Sequence, residues 1–181
     1  MKKIIASLVL IVFCVGSYLY VYTPYKEQRE IKNQLKNIYH SLAEINHDAT
    51  SGIGGTSDNN ELGEFAGRLY TAKNKLLTLR GKIKNKENLE IYNNLLKSIS
   101  KHYEWIEAQR TTNEKYNKNQ ESIREILSLG VYELTFGNSK SLMNEVDMLR
   151  KENDKIFDKS SDLYWSLSDD ESLIIAESYF K

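Results

Sequence analysis

The chain has one cysteine and one proline, and both lie in its first 24 residues. With Cys14 as the only thiol, no intramolecular disulfide framework can form. Because Pro24 is the only proline, the rest of the chain lacks the strongest helix breaker. The formal net charge is +0, which argues against a basic nucleic-acid-binding protein. We therefore expect a helical protein without disulfides and without a nucleic-acid partner.

Motifs for catalysis and for metal binding are also missing. There is no Gly-x-Ser-x-Gly elbow, and the glycines at 52–55 lack the Gly-Lys-Ser/Thr end of a phosphate-binding loop. His40, Glu44 and His47 share one helix face, but it lies opposite the apolar seam of that helix. We expect this face to be solvated rather than metal-bound. The sequence therefore predicts no enzymatic activity, no cofactor and no metal.

The one long apolar run stands at the N-terminus. Lys2 and Lys3 precede an uncharged stretch from Ile4 to Tyr22, whose length as a helix is close to the about 30 Å of a bilayer core. Its far end carries amphipathic aromatic residues expected at a membrane interface, namely Tyr18, Tyr20, Tyr22 and Tyr25. We favour a signal-anchor transmembrane segment over residues 1–24, with a new or kinked helix from Thr23 and Pro24 onwards.

Two other interpretations of this run stay open. It resembles a cleaved signal peptide with its apolar core ending at Val15, which would leave a secreted protein. It also resembles a lipoprotein signal acylated at Cys14, although Phe13 stands where a small residue is expected. For the favoured anchor, the basic residues before the helix predict a cytoplasmic N-terminus and an extracytoplasmic bulk, attached to the cell membrane by a single pass.

The rest of the chain shows apolar residues at alternating spacings of three and four. This pattern is typical of amphipathic helices, and no segment alternates with a period of two. We predict an all-α, up-and-down antiparallel bundle of four to five helices with coiled-coil-like seams over 25–166, and a short C-terminal helix over 167–181. The sequence does not decide whether 87–136 forms one helix or two, because Thr111 and Glu114 are a possible capping pair.

Two apolar features are candidates for contact with a partner or ligand. A second stripe on the helix after residue 87 contains Ile91, Leu95, Ser98, His102 and Trp105, and it is either core or an exposed groove. The hydrophobic C-terminal tail contains Trp165, Tyr179 and Phe180, and it either packs back on the bundle or docks on another chain. A further apolar segment over 123–136 predicts the buried centre of the bundle.

The charges are unevenly distributed along the chain. One stretch carries six basic residues with no acid between them: Lys73, Lys75, Arg80, Lys82, Lys84 and Lys86. The sequence allows either ion pairs with neighbouring acidic helices or a basic surface that faces anionic lipid or wall polymer.

The layout of an N-terminal anchor and an exported helical bundle resembles the sensory half of bacterial chemoreceptors, although no second apolar run follows. That resemblance implies a small-ligand-binding bundle that signals through a partner protein. The layout is also similar to phage spanins and exclusion proteins. The function we favour from the sequence is a non-enzymatic, membrane-tethered interaction or scaffold module, whose partner is another envelope protein or a second copy of the chain.

Overall fold

The computed structural model describes residues 2–51, 58–133 and 139–181. Within these ranges all regular secondary structure is helical, which confirms the predicted all-α class. The α-helices are α1 (Lys2–Ser17), α2 (Thr23–Ser51), α3 (Asn59–Leu79), α4 (Lys86–Glu133), α5 (Ser139–Ser168) and α6 (Glu171–Ser178). A π-helical turn, Tyr18–Tyr22, joins α1 to α2, and a 3-10 turn, Arg80–Lys82, follows α3.

The helix is not broken at Pro24 but passes through the π-helical turn into α2. Both the backbone N–H and the hydroxyl of Thr23 donate to the carbonyl of Tyr18, five residues back, and the hydroxyl lies 3.0 Å from it. Pro24 has no N–H, and in a regular α-helix its ring would clash with the carbonyl four residues earlier. The wider π-helical turn accommodates the proline without ending the helix.

The transmembrane segment predicted at 1–24 finds no support in the described residues. Among them, no helix combines the length with the apolar character needed to cross a membrane.

The core lies between α2, α3, the N-terminal half of α4 and the end of the chain, so about four helices pack together. The seams predicted on α2 and α3 supply much of it, with all of these residues buried: Ile31, Leu35, Ile38, Leu42, Ile45, Leu62, Leu69, Ala72, Leu76 and Leu79. Alternating spacings of three and four put them on one side of each helix, where they meet across the interface.

Two capped helix starts set the connections of the bundle. Asp58 accepts hydrogen bonds from the backbone of Asn60 and Glu61, both at 2.8 Å, while the Glu61 carboxylate accepts from the backbone of Asp58. The reciprocal bonds form a capping box at the start of α3. Asn85 accepts from the backbone N–H of Asn88 at 2.7 Å and so begins α4 after a short turn.

Helix α4 is a single helix of 48 residues. Thr111 does not cap a second helix, because its hydroxyl donates to the carbonyl of Glu107 inside the continuing helix. At about 1.5 Å per residue, α4 is about 72 Å long. It therefore extends well beyond α2 and α3, whose ends meet it near Asn113, where Asn113 donates to Asn59 at 3.2 Å.

Beyond that level only α4 and α5 remain among the described residues, and they pack antiparallel as a two-helix arm. The described part of the segment 123–136, which ends at Glu133, therefore lies in this arm rather than at the centre of the bundle, and the prediction is wrong for that part. Ile123 is buried between the two helices, whereas Leu127 is 45% exposed. Residues 134–136 lie outside the described residues.

Helix α5 returns along α4 to the bundle, and α6 continues along the same face. Helix α5 extends through Ser168. Asp170 is the N-cap of α6, and it accepts from the backbone N–H of Ser172 at 3.1 Å. Together, α5 and α6 cover the side of α4 that faces away from α3.

Candidate functional site

One heptad seam runs along nearly the whole of α4; its members contact α2 and α3 in the bundle and α5 further along. Its residues recur at spacings of three and four, and all of them are buried except Tyr116, which is half-buried. The seam consists of Asn88, Ile91, Leu95, Ser98, His102, Trp105, Gln109, Thr112, Tyr116, Asn119 and Ile123. About half of this seam is polar. Buried polar groups cost free energy unless they are hydrogen-bonded, so their partners determine how the helices pair.

His102 lies at the centre of this seam and is 1% exposed. Its Nδ1 is 2.8 Å from the carbonyl of Ser98, and its Nε2 is 3.1 Å from the side-chain amide of Asn46 on α2. Because a carbonyl only accepts, Nδ1 carries the proton. Burial lowers the pKa of His102, partly offset by the Ser98 carbonyl and the charge of Asp170. The ring is therefore neutral at pH 7, and Nε2 accepts from the Asn46 amide nitrogen, which requires the flipped orientation of that amide.

An ion pair next to His102 fixes the junction between α5 and α6. The ammonium of Lys101 lies 3.2 Å from Oδ1 of Asp170, and the Asp170 side chain is only 1% exposed. The same oxygen caps α6. The other carboxylate oxygen has no hydrogen-bond partner among the described residues. Removing Lys101 would leave a buried carboxylate without its cation, which is far more costly than removing an exposed pair.

Two polar pairs join α4 and α5, one within the arm and one where the arm meets the bundle. Asn119 donates to Asn153 at 2.9 Å, and both residues are less than a tenth exposed. Lower down, Ser160 donates to Gln109, which in turn donates to Asn113 at 3.5 Å. A polar pair inside an otherwise apolar seam favours the one register in which the two groups meet. These pairs therefore specify how α5 aligns on α4.

The prediction that Ile91, Leu95, His102 and Trp105 line an exposed groove is wrong. Each of them is 0–1% exposed, and His102 faces Asn46 on α2. The alternative prediction, a central helix that contacts several neighbours with His102 satisfied by a polar partner, is confirmed. Trp105 packs its indole against the ring of Phe65, with the centroids 5.9 Å apart. These four residues stabilise the core and are closed to a ligand.

The aromatic tail also packs back on the bundle. The Tyr179 hydroxyl donates to Glu90 on α4, and the ring of Phe180 lies 5.5 Å from that of Tyr39 on α2. The hydrogen bond from Tyr179 lowers the pKa of Glu90 and, in return, raises the pKa of Tyr179. Only Trp165 of the predicted tail contacts stays exposed, at 63%.

The six predicted basic residues fall into two groups. Lys73 and Lys75 lie along α3, and Lys73 is 5.5 Å from the ring centroid of Tyr103. Arg80, Lys82, Lys84 and Lys86 surround the turn between α3 and α4, where Lys84 is 3.5 Å from Glu27 and Lys86 is 3.6 Å from Glu90. The second group lies beside the first turns of α2, which follow the π-helical turn. We call this end of the bundle, residues 26–32 and 80–90, the base.

Beyond the base, the apolar N-terminal helix is exposed on all sides from Leu10 to Tyr22. From Leu10 to Tyr22 its large apolar side chains are 51–83% exposed, and the core contains no described residue before Ile31. Tyr18, Tyr20, Tyr22 and Tyr25 are among the exposed residues, and the rings of Tyr18 and Tyr22 stack with centroids 5.4 Å apart. An exposed apolar surface of this extent is uncommon on a folded protein.

The described surface also has shallow grooves between helices. One of about 440 Å³ lies between α2 and α3, and one of about 580 Å³ lies along one side of the α4–α5 pair. Nowhere in the described ranges do three or more His, Cys, Asp or Glu side chains converge in a way that would hold a metal ion. His40, Glu44 and His47 are exposed on α2.

No protein-family model matches the chain, and neither a curated protein nor a solved structure matches it.

Proposed function

We propose that this chain is a non-enzymatic interaction module that its N-terminal helix holds at a membrane, with the α4–α5 arm as the outer contact surface. The observation that carries the proposal is the exposed apolar helix from Leu10 to Tyr22. Burying apolar surface is worth about 25 cal/mol per Å², so a helix exposed on every side is strongly favoured to leave water. A bilayer covers all sides of such a helix at once, whereas a protein groove covers one.

The position of this helix supports a tethering role. It leaves the base through a continuous helical connection, so the bundle and the apolar segment are joined without a flexible linker. Lys2 and Lys3 precede the segment and favour a cytoplasmic N-terminus, which puts the bundle on the extracytoplasmic side. Cleavage of the segment, with secretion of the bundle, is the alternative outcome for the same sequence.

The arm supports a role in contact with partners. Its outer end lies at the opposite end of α4 from the base, about 70 Å away, so the tether would present it far from the membrane surface. Several large apolar side chains of the arm are exposed: Leu127 45%, Met143 51%, Met148 71% and Phe157 37%. Methionine and leucine on an exposed helical surface are typical of sites that pack against another helix. The partner is another envelope protein or the arm of a second copy.

A single charge in the apolar helix tests the tether. Val12 is 68% exposed and contacts no core residue, so Val12→Asp should leave the bundle folded while it strongly disfavours insertion. We expect the natural chain to float with lipid vesicles and the variant to stay in the aqueous fraction, with equal thermal melts by circular dichroism. Leu77→Asp introduces the same charge at an apolar position on α3 that is 47% exposed; it is the control and should float like the natural chain.

Two outcomes of this experiment would contradict the proposal. If the natural chain stays out of the lipid fraction, the apolar helix is not a tether. If Val12→Asp floats as well as the natural chain, another part of the molecule binds lipid.

The outer contact surface has its own test in the chain beginning at Thr23, which keeps every described core residue. If the arm pairs with a second copy, the molar mass from light scattering should rise with concentration, and Leu127→Lys should abolish the rise. A monomer at all concentrations leaves another envelope protein as the partner. Loss of that partner from membranes of cells with the Leu127→Lys variant would then support the arm, and its retention would contradict it.

A further inference from the structure

The base of the bundle combines exposed positive charge with immediate proximity to the apolar helix. Its two segments, 26–32 and 80–90, contain seven basic and four acidic residues, a net charge of +3 in a chain whose total is +0. The side chains of Lys84 and Lys86 are 66% and 89% exposed, and Lys82 is exposed as well. Their ion pairs with Glu27 and Glu90 are long and open to water, so they neutralise little of the field.

The hydrogen bonds of Gln28 fix the position of these lysines along the axis of α2. The Gln28 side chain donates to the carbonyl of Lys82 and accepts from the backbone N–H of Lys84, both at 3.0 Å. Gln28 also accepts through its backbone carbonyl from the side chain of Asn88 at 2.9 Å. The turn that carries the lysines is therefore fixed to the first turns of α2 rather than free to move away.

The distance from the apolar helix to these lysines is short. Lys84 pairs with Glu27, which is five residues after Tyr22. Tyr22 and Glu27 are therefore about 8 Å apart along the helix axis. The Debye length at physiological salt is about 8 Å. If Tyr22 lies at the headgroup level, the lysines of the base lie within the potential of the lipid surface. Basic residues near such a surface are attracted to anionic lipid.

We infer that the base is a binding surface for anionic phospholipid headgroups, and that it selects anionic over neutral membranes. This inference rests on the proposed function, because the apolar helix must first hold the base at the bilayer. The apolar helix provides attachment, whereas Lys82, Lys84 and Lys86 provide preference for negative lipid and hold the bundle against the surface.

The experiment uses the full chain in lipid nanodiscs of phosphatidylcholine alone or of phosphatidylcholine with phosphatidylglycerol. The probe is the rate at which an amine-reactive reagent acetylates each lysine, read by mass spectrometry at low and high salt. We expect Lys82, Lys84 and Lys86 to react several-fold more slowly on the anionic discs at low salt and at similar rates on both discs at high salt. Arm lysines Lys115 and Lys118 should react equally on both.

A competition between the two lipids tests the same inference by substitution. The variant K82Q/K84Q/K86Q reduces the net charge of the base from +3 to zero, and all three side chains are exposed, so folding is preserved. We expect the natural chain to prefer anionic vesicles on the order of tenfold, and this variant to lose the preference. The matched variant K115Q/K118Q/K155Q removes the same charge from exposed positions of the arm and should keep it.

The outcomes separate this inference from the proposed function. If the chain joins both kinds of disc but the base lysines react at equal rates, or K82Q/K84Q/K86Q keeps the preference, the basic surface is overturned while the tether stands. If the chain joins neither kind of disc, the tether fails and the inference fails with it.

Discussion

Replacing the buried asparagine pair of the arm with leucine tests how the helices α4 and α5 recognise each other. Asn119 and Asn153 are 8% and 5% exposed and are joined by one hydrogen bond of 2.9 Å. Asn119→Leu leaves the amide of Asn153 buried beside an apolar side chain, and Asn153→Leu does the same to Asn119. Leaving a buried polar group without its partner costs about 1–3 kcal/mol, so each single variant should lose roughly 2 kcal/mol of stability.

The double variant should behave quite differently from the sum of the singles. With leucine at both positions no polar group is left unpaired, and the seam gains apolar contact. Replacing both partners of a buried polar pair is near neutral or stabilising. We therefore expect the double variant to be at least as stable as the natural chain, which gives a coupling energy of roughly 2–4 kcal/mol between the two sites.

The measurement is urea denaturation followed by far-UV circular dichroism on the chain beginning at Thr23, which keeps every described core residue. Asn117→Leu is the control, because Asn117 is an exposed asparagine on the same helix and should change stability by no more than about 0.5 kcal/mol. Additive losses in the double variant would refute the reasoning. They would mean that Asn119 and Asn153 do not depend on each other and that α5 does not pair with α4 in this register.

Three further predictions concern the core, the buried histidine and the C-terminal tail. Leu76→Ala should cost about 2–5 kcal/mol by urea denaturation, because Leu76 is 0% exposed, whereas Leu77→Ala at 47% exposure should cost under about 1 kcal/mol. The lowered pKa of His102 means that the folded protein binds fewer protons than the unfolded chain below about pH 6.5. The stabilising contribution of the neutral ring should therefore be fully present above that pH, and below it the free energy of unfolding should fall by up to about 1.4 kcal/mol per pH unit. His102→Gln should reduce this slope. An unchanged slope would contradict the buried neutral ring. Tyr179→Phe should raise the pKa of Glu90 towards its ordinary value, as measured by carboxyl carbon NMR, and no change would mean that the tail does not dock on α4.

The apolar spacing predicted the helices well because it reports directly which side of each helix avoids water. The seams of α2 and α3 and the capping box at Asp58 could all be found from the sequence. The extent of α4 could not be found, because Thr111 and Glu114 have the residue types and spacing of a capping pair whether or not a helix begins there. The absence of glycine and proline near Thr111 was the available signal that the helix continues.

The buried site was harder to predict because half of its seam is polar. The spacing that runs through Leu95 and Trp105 continues without a break to Gln109, Thr112 and Asn119. Because these later positions are polar, the apolar pattern does not show that the seam continues after Trp105. Spacing alone also does not say which neighbour covers a face, and this is why the stripe around His102 could be either core or groove. The pairing of Lys101 with Asp170 depends on the return of α5 and α6, a contact between residues far apart in sequence that local pattern does not contain.

The length of α4 gives the molecule a mechanical property. Because one uninterrupted helix joins the base to the outer end of the arm, the two ends are coupled as the ends of a lever. A tilt of about 5° at the base would displace the far end by about 6 Å, since the helix is about 72 Å long. A load at the far end would, by the same geometry, be felt as torque where the protein meets its support.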